Sequence, residues 1–146
     1  MKAFYLLPIL SLAVVAGCAR YEPQAWVDRG SVDIAATGIG LIYCYEDANI
    51  IDGERIVGTL CGEPTSGFFS KGEPVVSFGP WGRKFMRTLV SDTTAGAQAE
   101  YEGKRVLLKC SVVTAPDGKT EVGRDCLVTM NEQRLVGAKF IFKKSE

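Results

Sequence analysis

The sequence of 146 residues contains no histidine. Histidine is the usual general base at neutral pH and the commonest zinc ligand, so two frequent kinds of site are missing. Charge imbalance is also missing, because 17 basic residues balance 17 acidic ones. A near-neutral chain has no general attraction to nucleic acid, and we expect no such partner. Nucleophile elbows, phosphate loops, zinc signatures and calcium loops are absent too. We therefore expect no cofactor, no catalytic residue and no metal ligand.

No apolar run reaches the roughly 20 residues that a membrane-spanning helix needs. The longest run lies between Ala3 and Ala16, follows the basic Lys2 and is interrupted at Pro8. A basic start, a short apolar core and a small-residue exit are typical of a secretory signal peptide. We predict a signal peptide over residues 1–17.

The end of this segment, Val15-Ala16-Gly17-Cys18, resembles the lipobox of bacterial lipoproteins. The resemblance covers residues 1–18 and implies cleavage before Cys18 with acylation of that residue. Two or more acyl chains hold a protein on a bilayer stably. The residue after Cys18 is Ala19 and not the Asp that marks a different destination in many Gram-negative lipoproteins. In this respect the sequence is similar to outer-membrane lipoproteins. We expect a lipid anchor on the periplasmic face of the bacterial outer membrane. The alternatives are an ordinary cleaved signal with a chance cysteine and an uncleaved membrane helix.

The remaining chain has the length of one ordinary domain. Residues 18–29 contain Pro23 and several polar residues, and we predict a lipidated tether there. Trp26 and Val27 are expected to begin the fold or to cap its edge. Residues 30–146 form the predicted single β domain.

A helical apolar period over 12 or more residues is missing after the signal. Short runs rich in Val, Ile, Tyr, Phe and Thr alternate instead with turn residues. This pattern predicts an all-β fold with one short helix, built as an antiparallel β-sandwich or a small β-barrel of about seven or eight strands. The helix is predicted over residues 92–100, capped by Asp92 and ended by Gly103. The predicted strands are Ser31–Ala36, Ile39–Glu46, Glu54–Cys61, Phe68-Phe69, Pro74–Gly79, Arg83–Val90, Lys104–Val113, Lys119–Met130 and Arg134–Phe142.

Residues 89–113 are loosely similar to a bacterial OB-like domain, through Tyr101-x-Gly103-Lys104 after an alanine-containing segment. The resemblance implies a short helix that enters the first strand of a barrel. It supports the barrel alternative and carries no implication of nucleic-acid binding.

Four cysteines remain besides Cys18, and an even set in an exported chain indicates two disulfides. If Asp52-Gly53 is a two-residue hairpin loop, paired residue numbers total 105, as those of Cys44 and Cys61 do. The pair falls at a non-hydrogen-bonded position, where Cα atoms are about 4.5 Å apart. A three-residue loop of Asp117-Gly118-Lys119 pairs Cys110 with Cys126 in the same way. We therefore predict the disulfides Cys44–Cys61 and Cys110–Cys126, with Asp47-Ala48-Asn49 as poor strand material within the first hairpin.

An acidic group surrounds the first hairpin turn, with Glu46-Asp47 before it and Asp52-Gly53-Glu54 within it. Such carboxylates can bind a cation or act as a catalytic pair. The commoner interpretation is a solvated hairpin end.

Basic and aromatic residues alternate after a Gly-Pro turn, as Trp81, Arg83, Phe85 and Arg87. On a strand Arg83, Phe85 and Arg87 share one face and Lys84 points to the other. Such a pattern can bind a partner, single-stranded nucleic acid or glycan, or can form the polar rim of an edge strand. Trp81 is either an exposed anchor or a core plug.

These patterns favour a protein-binding or envelope-assembly module, such as a secretion-complex component or an inhibitor, whose partners are the membrane and another envelope protein. The alternative is a β-barrel lipoprotein that binds a small ligand or a glycan. A carboxylate-dependent wall hydrolase is the third reading, and we expect no enzyme activity.

Overall fold

The computed structural model describes residues 24–37, 41–64 and 72–142. The predicted signal peptide, Cys18 and the Phe68-Phe69 strand candidate lie outside these residues. The described chain is almost entirely β structure, with one 3₁₀ turn at Asp92–Thr94 between the fifth and sixth strands. The strands are β1 (Val32–Ala35), β2 (Tyr43–Ile51), β3 (Glu54–Glu63), β4 (Val75–Pro80), β5 (Met86–Leu89), β6 (Ala97–Tyr101), β7 (Lys104–Thr114), β8 (Glu121–Met130) and β9 (Gln133–Ile141).

The described strands form two sheets, in the strand orders β1-β9-β8-β7-β6 and β2-β3-β4-β5. Strands that follow one another in the chain pair antiparallel in both sheets, and among the described strands β1 alone pairs in parallel, with β9. β9 packs against β2 and β3 across the layer between the sheets. The sheets of the described chain are not closed into a barrel, so the sandwich alternative of the predicted all-β fold is confirmed.

The core fills the space between the sheets because alternate residues of each strand face inward. In the smaller sheet, the cross-strand row Leu60, Phe78 and Met86 lies on this inner face. The largest fully buried side chains include Ile51, Leu60, Phe78, Leu108, Met130 and Phe140.

Both predicted disulfides are present, and their registers come from local hairpins. Asp52 and Gly53 have φ angles of 51° and 83°, as a type I′ turn requires, and Cys44 pairs with Cys61. The Cα atoms of each disulfide are 4.0 Å apart. Residues 47–49, predicted to be poor strand material, are part of β2.

The second hairpin reaches the predicted cysteine register by a different route. The Ala115 amide donates to the Thr120 carbonyl at 2.8 Å, so the loop has four residues rather than three. A β-bulge then shifts the pairing between Val113 and Thr114, which restores the register at Cys110 and Cys126. The predicted three-residue loop is therefore wrong, although the disulfide is confirmed.

The predicted helix over residues 92–100 is wrong beyond its first turn. Gly96 has a φ angle of 98°, which interrupts any helix, and Ala97–Tyr101 forms β6 against β7. Glu102 and Gly103, with φ angles of 48° and 75°, form the two-residue turn of that hairpin. Local alanine content favoured a helix, but pairing with β7 outweighs that small preference. The short helix implied by the OB-like resemblance is absent from this described segment.

Candidate functional site

The chain turns sharply between β4 and β5, and this turn positions Trp81. The Arg83 amide donates to the Pro80 carbonyl at 3.0 Å. Gly79 lies so close to the returning backbone that a Cβ atom there would be 1.2 Å from the Arg83 carbonyl oxygen. The Phe85 amide donates to the Phe78 carbonyl at 2.9 Å, so β5 begins only at Met86 and not at Arg83 as predicted.

Trp81 is an exposed side chain at a strained backbone position. Its φ angle is 53°, which bulky residues rarely adopt, and its amide donates to the Val57 carbonyl at 3.0 Å. The side chain remains 54% exposed. Trp81 is therefore not a core plug in this structure. Core packing does not explain a large, exposed aromatic side chain at a strained backbone position. Such a residue is therefore a candidate for a functional role.

Phe85 follows Trp81 by four residues and contacts β6 of the larger sheet. It is 37% exposed, and its ring meets that of Tyr101 edge-on with centroids 5.4 Å apart. Partial burial, and then the neighbouring Glu102 carboxylate, raise the pKa of the Tyr101 phenol above its usual range. Tyr101 is thus neutral at physiological pH, and its uncharged ring packs against Phe85.

Lys84 and Arg87 both reach Glu63 on the outer face of the smaller sheet. Their nitrogens lie 3.6 and 2.9 Å from the two Glu63 carboxylate oxygens. This corrects the expectation that Lys84 points to the opposite face, because residues 83–85 precede the strand and do not alternate. The basic side chains are 60% and 59% exposed, whereas Glu63 is 16% exposed. Arg83 is exposed and forms no ion pair with any carboxylate in the described ranges.

We call the exposed set Trp81, Arg83, Lys84, Phe85 and Arg87 the corner surface. It carries three positive charges, of which Lys84 and Arg87 pair with the largely covered Glu63, while the Glu102 carboxylate lies beside the neighbouring Tyr101. Beneath it, the buried Ser77 hydroxyl has no hydrogen-bond partner within the described part of the chain. All four residues of the predicted basic-aromatic patch are thus exposed in the segment from the β4–β5 turn into β5, where Phe85 contacts Tyr101 and Arg87 pairs with Glu63.

The acidic group of the first hairpin is dispersed over separate structural contacts. Glu46 and Asp47 are consecutive residues of β2 and point to opposite faces. Each of the four carboxylates has its own partner: Glu46 with Thr59 at 3.0 Å, Asp47 with Arg29 at 3.3 Å, Asp52 with Asn131 at 2.6 Å and Glu54 with Lys104 at 3.2 Å. Over residues 24–37, 41–64 and 72–142, no three His, Cys, Asp or Glu side chains form a group suited to a metal ion.

Sequence reasoning missed Arg124, which lines a cleft of about 330 Å³ at one end of the sandwich. The Arg124 side chain is only 6% exposed and donates to both Glu121 carboxylate oxygens, at 2.8 and 3.1 Å. It also donates to the Thr94 hydroxyl at 2.6 Å. Its positive charge is therefore compensated, and it fastens the 3₁₀ turn to β8. The available signal was its place on β8, in phase with the buried Cys126 and Val128.

Comparisons with protein-family models, with curated proteins and with solved structures found no match. No helix within the described residues has the length and apolar character needed to cross a membrane.

Proposed function

We propose that this chain is a lipoprotein, anchored through Cys18 to the periplasmic face of the bacterial outer membrane, whose β-sandwich binds another envelope protein through the corner surface. The observation that carries the proposal is Trp81, which is 54% exposed at a strained backbone position. Tryptophan and arginine are the residues that most often dominate binding energy at protein interfaces. The corner surface offers Trp81 beside Arg83 and Phe85.

The proposed lipid anchor and the two disulfides both favour a location outside the cytoplasm. Disulfides persist in oxidising compartments, and the bacterial periplasm is one of them. The lipobox-like Val15-Ala16-Gly17-Cys18 accounts for the fifth cysteine and the two disulfides account for the other four. A protein anchored to the membrane through Cys18 would meet its partners within the envelope. This location is consistent with a binding or assembly role.

The organisation of the surface favours a macromolecular partner over a small ligand. The corner surface is formed by exposed side chains of a turn and the strand after it, whereas small ligands are usually enclosed in concave pockets. The Arg124 cleft is concave, but the Arg124 charge is already satisfied by Glu121. The dispersed carboxylates of the first hairpin likewise give no support to a wall hydrolase.

A photo-crosslinking residue placed at Lys84 tests the proposal in intact cells. Lys109 on β7 is the matched control, because it is an exposed lysine on the outer face of the other sheet. We expect a discrete protein adduct from position 84 and none from position 109. Trp81→Ala should remove the adduct and weaken the purified complex by about 30-fold, as expected for an interface anchor worth about 2 kcal/mol.

Equal adducts from both positions, or none from position 84, would refute the corner surface as the binding site. The anchor is tested separately by Cys18→Ser, which should release the protein from the membrane fraction. Continued fractionation with membranes would show that acylation of Cys18 is not the anchor.

A further inference from the structure

β5 is the last strand of the smaller sheet and borders the corner surface. It pairs with β4 alone among the described strands. The Val90 amide donates to the Pro74 carbonyl at 3.1 Å, towards β4. Because backbone groups alternate along a strand, the amides and carbonyls of Met86 and Thr88 face β4 as well. Those of Arg87 and Leu89 face away from the sheet and are available to a further strand.

The side chains along this edge define what chemistry an added strand would need. Arg83, Lys84 and Arg87 are all exposed, and the largely covered Glu63 is the one carboxylate of the described chain that forms an ion pair with any of them. Leu89, 43% exposed, continues the apolar character of Trp81 and Phe85 along the same edge. The edge therefore presents positive charge and apolar surface together.

The three other sheet edges differ in ways that disfavour the same use. β1 (Val32–Ala35) carries Asp33 and no basic residue. The edge of β2 is partly covered by residues 27–29, where Arg29 donates to the Ala48 carbonyl at 2.7 Å. β6 presents Glu100, and Glu102 follows in its turn, so that edge is acidic. β5 is thus the edge in the described chain that combines exposed positive charge with an uncovered backbone.

We infer that the β5 edge binds an extended, acidic segment of the partner protein, which adds to the smaller sheet as a fifth strand. Backbone hydrogen bonds to Arg87 and Leu89 give the affinity, and acidic side chains of the segment pair with Arg83 and Arg87. Trp81 and Phe85 hold its apolar residues. This inference rests on the proposed function and names the binding mode and the partner's chemistry.

A second copy of this chain is a poor occupant for the edge. Pairing β5 with another β5 would bring two sets of Arg83, Lys84 and Arg87 together. Like charges placed opposite each other on neighbouring strands are destabilising. The same positive charges that oppose self-pairing attract an acidic strand, so charge selects a different protein.

The test uses the full-chain protein, isotopically labelled and extracted from membranes in detergent. The probe is a capped peptide of alternating Glu and Val, about eight residues long, and the control peptide has Lys in place of Glu. NMR follows the backbone amides during titration and hydrogen exchange. We expect the acidic peptide to slow exchange of the Arg87 and Leu89 amides by about tenfold or more at saturation. The lysine peptide should leave both amides unchanged.

Two charge-reversal variants, one on the β5 edge and one on the other sheet, test the acidic chemistry of the bound segment. Arg83→Glu combined with Arg87→Glu should weaken binding of the acidic peptide about tenfold at low salt, as two surface charge pairs would. Arg105→Glu combined with Lys109→Glu changes the same charge on the outer face of the other sheet and should have no effect.

The outcomes separate this inference from the proposed function. Binding that leaves the Arg87 and Leu89 amides unprotected overturns strand addition. Equal binding of the lysine peptide overturns the acidic chemistry. Absence of peptide binding, with the adduct from position 84 still formed, overturns this inference and leaves the proposed function standing. If that adduct is also missing, both fall.

Discussion

The two disulfides should differ greatly in how fast they are reduced, although they contribute similarly to stability. Their cysteines are 17 and 16 residues apart. Loop-closure arithmetic therefore assigns each bond about 3 kcal/mol. Their surroundings differ, since Cys44 is exposed on the outer face of the smaller sheet, whereas Cys110 and Cys126 are 1% and 0% exposed in the core.

Reduction requires a thiolate to reach a disulfide sulfur, so access decides the rate. Cys44–Cys61 can be attacked in the native state, but Cys110–Cys126 must wait until the sandwich opens. With an unfolding free energy of about 5 kcal/mol or more, the open fraction is about 2 × 10⁻⁴ or less. We expect Cys110–Cys126 to be reduced at least about a thousandfold more slowly. Removing the first bond costs about 3 kcal/mol, so the second should then react about a hundredfold faster.

The assay is timed exposure to a dithiol, followed by alkylation and peptide mapping of the four cysteines. Cys44 and Cys61 should be alkylated first. The variant Cys44→Ala with Cys61→Ala serves as the control, and its Cys110–Cys126 bond should be reduced faster than in the parent. Equal rates in the parent, or earlier alkylation of Cys110, would refute the assignment of one surface and one core disulfide.

Three further predictions concern stability. Gly79→Ala should cost about 3 kcal/mol or more, because its Cβ meets the Arg83 carbonyl oxygen at 1.2 Å; an unchanged melting temperature would contradict this. Asn49→Ala should cost about 2 to 3 kcal/mol in urea unfolding, since this buried amide bonds three backbone groups across two other segments; a loss below about 0.5 kcal/mol would count against it. Asp117 has a pKa below its usual 3.8 because the Thr120 hydroxyl and then nearby amides donate to it, so the folded state favours the charged form. The stabilisation from Asp117 is fully present above the pKa that its carboxyl has in the unfolded chain, and it is lost as the pH falls through the pKa in the folded protein. Asp117→Asn should therefore weaken the dependence of unfolding free energy on acidic pH.

Local chemistry determined the parts of this fold that depend on neighbours along the chain. Asp52-Gly53 sets a two-residue turn, and each pair along an antiparallel hairpin then follows by counting. This is why the Cys44–Cys61 bond was predictable. At the second hairpin the loop was mispredicted by one residue, and a bulge beside Gly123 corrected the register.

The corner surface was only partly predictable. Its residue types and their grouping are visible in the sequence, but the exposure of Trp81 depends on the turn held against the Val57 carbonyl. The common side of Lys84 and Arg87 depends on β5 beginning at Met86. Arg124 illustrates the same limit, since its partner Thr94 lies 30 residues away in the chain.

By itself the sequence determined the β class, the register of the first hairpin and the cysteine pairing, because each depends on residues that are close in the chain. The tertiary structure decided which face of each sheet is buried, and hence that one disulfide lies in the core and the other at the surface. It also decided that residues 97–101 form a strand and that β1 joins β9 in parallel. These features come from contacts between distant segments, whose burial outweighs local preferences of a few tenths of a kcal/mol per residue.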